Sequence, residues 1–284
     1  MIELKTNEYY KIDPLIAHKE NEFIFVFVQS VIDNNQPGKI FVNNSDNPTA
    51  GLVVSRGGKY YLFGDEEDQA FNSLVLDFLA HPDNHANFYD LYFSSNTWLS
   101  IIKAPLNDNV VELSRSHYIL SNTTITDNHT TQSREFLLKS INDKLYNRYV
   151  YEVDDSYSML WDSSNTYLER AFGYCFLGES GFVSACNTFY IGGGYIEPDI
   201  ITLSDYRKQG LAFALCQEFI RHSRQRKLIP YWDCDSGNNA SNLLAKKLGF
   251  NKVGEVPILW WHENKQVISN YLLKYNYRSK IQEI

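Results

Sequence analysis

The residues with the clearest chemical meaning lie in one short stretch, residues 205–213. Arg207, Gly210 and Ala212 fall at the spacing Arg-x-x-Gly-x-Ala, between the apolar run Ile200, Ile201, Leu203 and the periodic set Leu211, Ala214, Leu215, Phe219. The run suits a buried strand and the set suits one face of a helix. A helix that opens at such a turn leaves its first N–H groups unpaired and pointing outward. Small residues at 210 and 212 let a ligand approach that backbone closely. The helix dipole adds partial positive charge there, and Arg207 and Lys208 add whole charges, which are unfavourable at a helix start unless an anion is present. The chemistry this spacing suits is the binding of an anion such as a pyrophosphate. Taken alone, the motif is equally an ordinary strand-to-helix loop with a solvated Arg-Lys pair.

Two carboxylates precede it. Glu197 and Asp199 are two apart on the expected strand and therefore project to one face. Paired carboxylates can hold one pKa near neutrality, as a general base needs. They could equally form a solvent-facing rim or attract a cation; as a base, Glu197 is the preferred residue. Downstream, residues 229–236 and 237–250 read as a second strand, loop and helix. Asn238 or Asn239 can cap that helix, Ala240, Leu243, Leu244 and Leu248 form its apolar stripe, and Gly249 ends it.

These elements need a scaffold. In the first half, 38–42 is strand-like, and 50–55 with 60–63 read as a hairpin across Arg56-Gly57-Gly58. A helix is expected over 69–80, a strand over 87–94, a short helix over 97–103 and a strand over 110–120; residues 23–28 fit either a helix or a strand. Residues 121–133, polar and weakly periodic, are the expected linker. After it come helices over 136–150 and 160–171, strands over 172–177 and 182–191, and a glycine turn at 192–194. The two halves follow a similar order, so a degenerate repeat is one reading of the chain. The first half carries Asp65, Glu66, Glu67 and Asp68 where the second has Arg207 and Lys208. Such an end repels phosphates.

The pair of motifs resembles the GNAT superfamily of acyl-CoA-dependent N-acetyltransferases. Arg207-x-x-Gly210-x-Ala212 matches that family's pyrophosphate loop, and Asn238-x-x-Ser241-x-x-Leu244 with Lys247-Leu248-Gly249-Phe250 is similar to its later helix. The wording of 206–212, with Trp232-Asp233-Cys234 and Ser241, also resembles the subgroup containing zwittermicin A resistance acetyltransferases. The resemblance implies an α/β (α+β) fold with a mixed, mostly antiparallel sheet flanked by helices. It suggests two tandem GNAT-like halves, 1–130 and 131–284, of which only the second keeps the coenzyme loop. It implies direct transfer of an acetyl group from acetyl-CoA to a primary amine. The backbone of Lys208, Gln209, Gly210, Leu211 and Ala212 would hold the pyrophosphate with Arg207 in support. Leu203 and Ser204 would meet the pantetheine arm and thioester, Asn238 and Ser241 would hold coenzyme or cap their helix, and Glu197 or Asp199 would deprotonate the amine. The family often places a tyrosine acid on the later helix, but the aligned residue here is Ala245; Tyr231 or Tyr277 could replace it. The loss of that acid keeps a non-catalytic acyl-CoA-binding sensor or scaffold in view as the rival reading.

Composition limits the remaining classes. The 284-residue chain has a formal charge of −8 and is 44% hydrophobic, so it can build real cores and is not a general nucleic-acid binder. Residues 205–252 are the exception, with nine Lys/Arg against four Asp/Glu. An acidic protein with carboxylates near the site favours a small cationic acceptor. Cys175, Cys186, Cys216 and Cys234 show neither metal-ligand nor disulfide spacing. Cys234 reads as a buried strand cysteine, Ser180 as a turn residue, and His222 as a solvated side chain. No metal, membrane segment or secretion signal is expected, and a cytoplasmic location follows as the default.

Overall fold

The computed structural model describes residues 1–16, 23–106, 109–120 and 136–277. The expected linker at 121–133 lies outside them. The strands are β1 (Ile2–Glu3), β2 (Gly38–Val42), β3 (Ala50–Ser55), β4 (Lys59–Gly64), β5 (Phe88–Phe93), β6 (Val111–Leu120), β7 (Leu137–Ser140), β8 (Gly173–Gly178), β9 (Gly181–Gly192), β10 (Tyr195–Thr202), β11 (Ile229–Asp235) and β12 (Phe250–His262). The helices are α1 (Asp13–Ile16), α2 (Val26–Ile32), α3 (Gln69–Ala80), α4 (Asn96–Leu106), α5 (Asp143–Glu152), α6 (Tyr157–Leu160), α7 (Ser164–Arg170), α8 (Leu211–Gln225), α9 (Asn239–Lys247) and α10 (Lys265–Lys274).

All the strands join one sheet in the order β1-β2-β3-β4-β5-β12-β6-β11-β10-β9-β8-β7. The succession β4-α3-β5-α4-β6 recurs as β10-α8-β11-α9-β12, and each succession contains one parallel pair, β4 with β5 and β10 with β11. The last strand of each succession lies beside the other half: β12 pairs with β5, β6 pairs with β11, and the two pair with each other. One sheet therefore joins strands of both halves.

Local chemistry accounts for most of the boundaries. Asp68 accepts from the Phe71 N–H and caps α3, Asn142 accepts from Leu145 to start α5, and Asn238 accepts from Ser241 to start α9. The helix expected over 136–150 is a correction: residues 137–140 pair as an edge strand with β8, and α5 begins only after Asn142. Strand β12 and helix α10 are further elements that the expectations did not include. Gly192 lets α2 lie against β9, since a Cβ there would stand 2.2 Å from the Ser30 nitrogen.

One face of the sheet carries α3, α4, α8 and α9; the other carries α1, α2, α5–α7 and α10. A small core under α3 and α4 is built from residues of the first half plus Leu259 of β12. The larger core takes residues from both halves, from Leu4 and Val31 to Phe219 and Leu272. His117 of β6 sits in it, 1% exposed, among Phe23, Phe25, Tyr92 and Tyr231. Neither ring nitrogen has a hydrogen-bond partner among the described residues. Burial lowers its pKa to about 4, with Asp233 opposing and Arg115 and Lys59 assisting.

The unfolded chain protonates His117 below pH 6.5 while the folded chain does not until about pH 4. Stability therefore falls as pH drops through that window, by up to about 3 kcal/mol. His117→Leu is expected to remove this contribution, seen in denaturation midpoints of both proteins between pH 7 and 4.5; parallel curves would refute the assignment.

Candidate functional site

The site begins where β10 and β11 part. Their parallel register lasts only from Tyr195–Ile229 to Ile196–Pro230, whereas β4 and β5 stay paired from Lys59–Asp90 to Leu62–Phe93. The two ladders start alike. The Asp90 N–H donates to the Gly58 carbonyl, and the Ile229 N–H donates to the Gly194 carbonyl. Alternation along a parallel ladder makes Tyr60 and Leu62 the next donors in the first half, and Ile196 and Pro198 in the second. Proline has no N–H to donate. The rung that Leu62 supplies is therefore missing at Pro198, and β10 runs on to Thr202 without β11 beside it. Leu203 donates to Val183 of β9, so the same alternation turns the backbone of Ile200 and Thr202 toward the opening.

The predicted loop closes the end of this opening. A short turn of helix over Ser204–Tyr206 leads to Arg207, whose Nε donates to the Thr202 carbonyl at 3.0 Å and ties the loop to the strand end. Lys208 and Gly210 both have positive φ, 63° and 81°. Nothing lies within 4 Å of a Cβ built on Gly210, so backbone conformation rather than crowding calls for glycine there. No side chain caps α8. Its first backbone bond runs from Ala214 to the Gly210 carbonyl, and the N–H groups from Lys208 through Gln209, Gly210, Leu211 and Ala212 to Phe213 have no acceptor among the described residues. An uncapped helix start with an open glycine beside it suits a pyrophosphate.

Other predicted residues have different surroundings. Leu203 and Ser204 are exposed, but the Leu203 N–H is engaged by β9, and their carbonyls accept from Tyr206 and Arg207. Asn238 is the cap of α9, and Ser241 Oγ accepts from Trp232 Nε1 at 3.0 Å. Ala245 is fully buried beneath α9. Tyr277 donates to Asp235 Oδ1 at 3.0 Å, while the buried Tyr231 hydroxyl has no partner among the described residues. Cys234 is buried, and burial pushes its thiol up to about 11. His222 is not solvated as expected: it is half-buried, stacks on Phe172 and meets the Tyr174 hydroxyl at 2.8 Å. Among the described residues no group of three or more potential ligands could hold a metal ion. No described helix is long and apolar enough to cross a membrane.

The two carboxylates face the same side of the sheet and have unlike environments. Glu197 is 3% exposed and pairs with Lys59 of β4 at 3.0 Å. Lys59 also reaches Asp233 of β11 at 2.7 Å, and Asp233 accepts from Arg115 Nε of β6 at 2.8 Å and from the Tyr92 hydroxyl at 2.9 Å. Burial pushes Glu197 up to about 7 against the opposing pull of Lys59. Burial also acts to raise Asp233, but Arg115 and Lys59 hold it well below the usual carboxylate range. Burial would lower the Lys59 ammonium, yet Asp233 and Glu197 keep it well above its ordinary value. Asp199 is half-buried and accepts from the Tyr157 hydroxyl at 3.3 Å. Burial and the neighbouring Asp154 raise it to about 6. The expectation of a solvent-facing rim is thus corrected for Glu197, which is the partner of a buried lysine.

Lys59, Arg115 and Tyr92 were missed because they lie far from the loop in sequence. A signal was present: Arg115 falls in phase with Val111, Leu113 and His117, and a charge in phase with a buried strand face needs a partner.

The GNAT acetyltransferase family model matches residues 13–259, and the chain belongs to that family. It is 27% identical over 242 residues to the uncharacterized N-acetyltransferase YdfB of Bacillus subtilis (strain 168), covering 85% of this chain and 92% of that protein. The fold is similar to that of a GCN5-related N-acetyltransferase-like protein from Streptococcus suis 89/1591, with a TM-score of 0.74, 20% identity, and 90% and 99% of the two chains covered. It is also similar to a tandem GNAT protein from the clavulanic acid biosynthesis pathway, with a TM-score of 0.61, 11% identity, and 93% and 98% covered.

Removing Lys59 leaves Glu197 without a cation and Asp233 with only Arg115. Lys59→Met is expected to cost about 3–5 kcal/mol in chemical denaturation, and Glu197→Gln to recover much of it in the double variant. Additive losses would mean that the two side chains are not coupled.

Proposed function

We propose that the protein transfers an acetyl group from acetyl-CoA to a primary amine on a small cationic acceptor, and that the single coenzyme site lies in the second half. The observation that carries this reading is the uncapped α8 start at an open Gly210, set at the end of the only parallel pair that a proline interrupts among the described strands. The backbone N–H groups from Lys208 to Ala212 would take the pyrophosphate, with Arg207 bracing the loop and Lys208 adding charge. The backbone of Ile200 and Thr202 would meet the pantetheine arm along the free edge of β10. Leu203 and Ser204 would shape the end of that edge. Asn238 and Ser241 would act mainly by holding α9 in place.

Asp199 is the better base. It is raised to about 6 and has no ion-pair partner within 4 Å among the described residues, so it can accept a proton from an ammonium, whereas Glu197 is committed to Lys59. Glu197 then sets the field beside it. Of the two tyrosines that could protonate the departing thiolate, Tyr277 is engaged by Asp235, whereas the Tyr231 hydroxyl has no hydrogen-bond partner among the described residues. Residues 1–130 and 131–284 read as two GNAT-like units, the first without a coenzyme site. Its helix α3 starts at a filled cap, Asp68, among further carboxylates, where a phosphate would be repelled. The acceptor class rests on the acidic net charge and on the likeness to zwittermicin A resistance acetyltransferases.

The test is thiol release from acetyl-CoA with a panel of amines. Gly210→Glu places a side chain at positive φ, which costs about 1–2 kcal/mol, and a negative charge in the cradle; at least ~100-fold loss of kcat/KM is expected. For the wild type, kcat/KM should rise with pH through about 6, as Asp199 loses its proton. Asp199→Asn should abolish that limb. Coenzyme binding without release for any amine would favour the non-catalytic sensor, and unaltered turnover in both variants would overturn the site.

A further inference from the structure

Away from the coenzyme opening, a cavity of about 250 Å³ lies where the exchanged strands meet α10. Its charged walls are Asp90 of β5 and Arg115 of β6; its aromatic walls are Phe88, Trp260, His262 and Tyr271. Neither charge is idle by accident of exposure. Burial raises the Asp90 carboxyl while Arg115 and Lys59 pull it down, so it sits in the field of both cations. Yet the Asp90 carboxylate has no hydrogen bond and no ion pair within 4 Å among the described residues. Arg115 is held by Asp233 through Nε at 2.8 Å and lines the same cavity. The aromatic walls are set in advance: Trp260 packs on Tyr271 at 4.6 Å, Phe88 stacks on His262 at 6.4 Å, and the Tyr271 hydroxyl is anchored on Asp235 at 2.8 Å.

A carboxylate and a guanidinium that line one small cavity without pairing with each other match a ligand that carries both charges. We propose that this cavity binds a free α-amino acid with an apolar side chain, its ammonium on Asp90, its carboxylate on Arg115 and its side chain against the aromatic walls. Guanidinium suits carboxylate by its two-pronged geometry. The aromatic faces suit both the side chain and the neighbouring ammonium. The volume lies below the range usual for drug-sized ligands, about 300–1,000 Å³, and admits one such molecule. This goes beyond the acetyl transfer proposed above and does not depend on it.

The experiment uses the full chain and reads binding directly, by saturation-transfer NMR and Trp fluorescence. The probes are L-leucine, L-methionine and L-phenylalanine, beside phenethylamine, which lacks the carboxylate, and 3-phenylpropionate, which lacks the ammonium. At least one amino acid should bind saturably, and both truncated probes should bind at least ~10-fold more weakly. Asp90→Asn, which breaks no ion pair, should weaken binding at least ~10-fold. Gly210→Glu should leave it unchanged, which separates this cavity from the coenzyme opening. No saturable binding up to about 10 mM, equal binding of the truncated probes, or full binding by Asp90→Asn would overturn the proposal. Should Asp90→Asn fail to fold, the comparison of probes on the wild type decides alone.

Discussion

The structure depends on the buried contact between Lys59 and the carboxylates of Glu197 and Asp233. Four charges, with Arg115, come from four strands: β4, β10, β11 and β6. Each alone would be ruinous in such surroundings, since a charge out of water costs several kcal/mol unless paired. Together they are two cations and two anions, and they pair only when both halves are in place. Phe27, Tyr92, Phe189 and Tyr190 surround the ammonium with ring faces and keep water away. The exchange of β6 and β12 serves the same end, since Arg115 reaches Asp233 only because β6 lies beside β11.

Within that frame, two similar successions of strands and helices end in unlike ways. In the first half the parallel ladder continues through Leu62, and the following helix starts at a carboxylate that already satisfies it. In the second half Pro198 ends the ladder, and the following helix starts at a glycine with no side chain to cap it. The two copies thus differ by a missing donor and a missing cap. The first half then serves the second from beneath, through Lys59.

Much of this was legible in the sequence where the signals were local. The hairpin at Arg56-Gly57-Gly58, the helix over 69–80, the glycine turn at 192–194 and the loop at Gly210 follow from turn chemistry and periodicity, and each lies where expected. The strand at 137–140 was read as helix because an edge strand takes its stability from its neighbour, which a local pattern does not reveal. The turn at Gly210 was legible because its signal is local, whereas the surroundings of the two carboxylates were not. Glu197 and Asp199 alternate identically, and what separates them is a lysine 138 residues earlier in the chain and a tyrosine on α6.

One half of the chain, and only one, is proposed to hold the coenzyme. The most direct measurement is the stoichiometry of acetyl-CoA binding to the full chain by calorimetric titration. The account predicts one molecule per chain. Two would contradict the reading of the acidic α3 start as closed to phosphate, and none would contradict the coenzyme site itself.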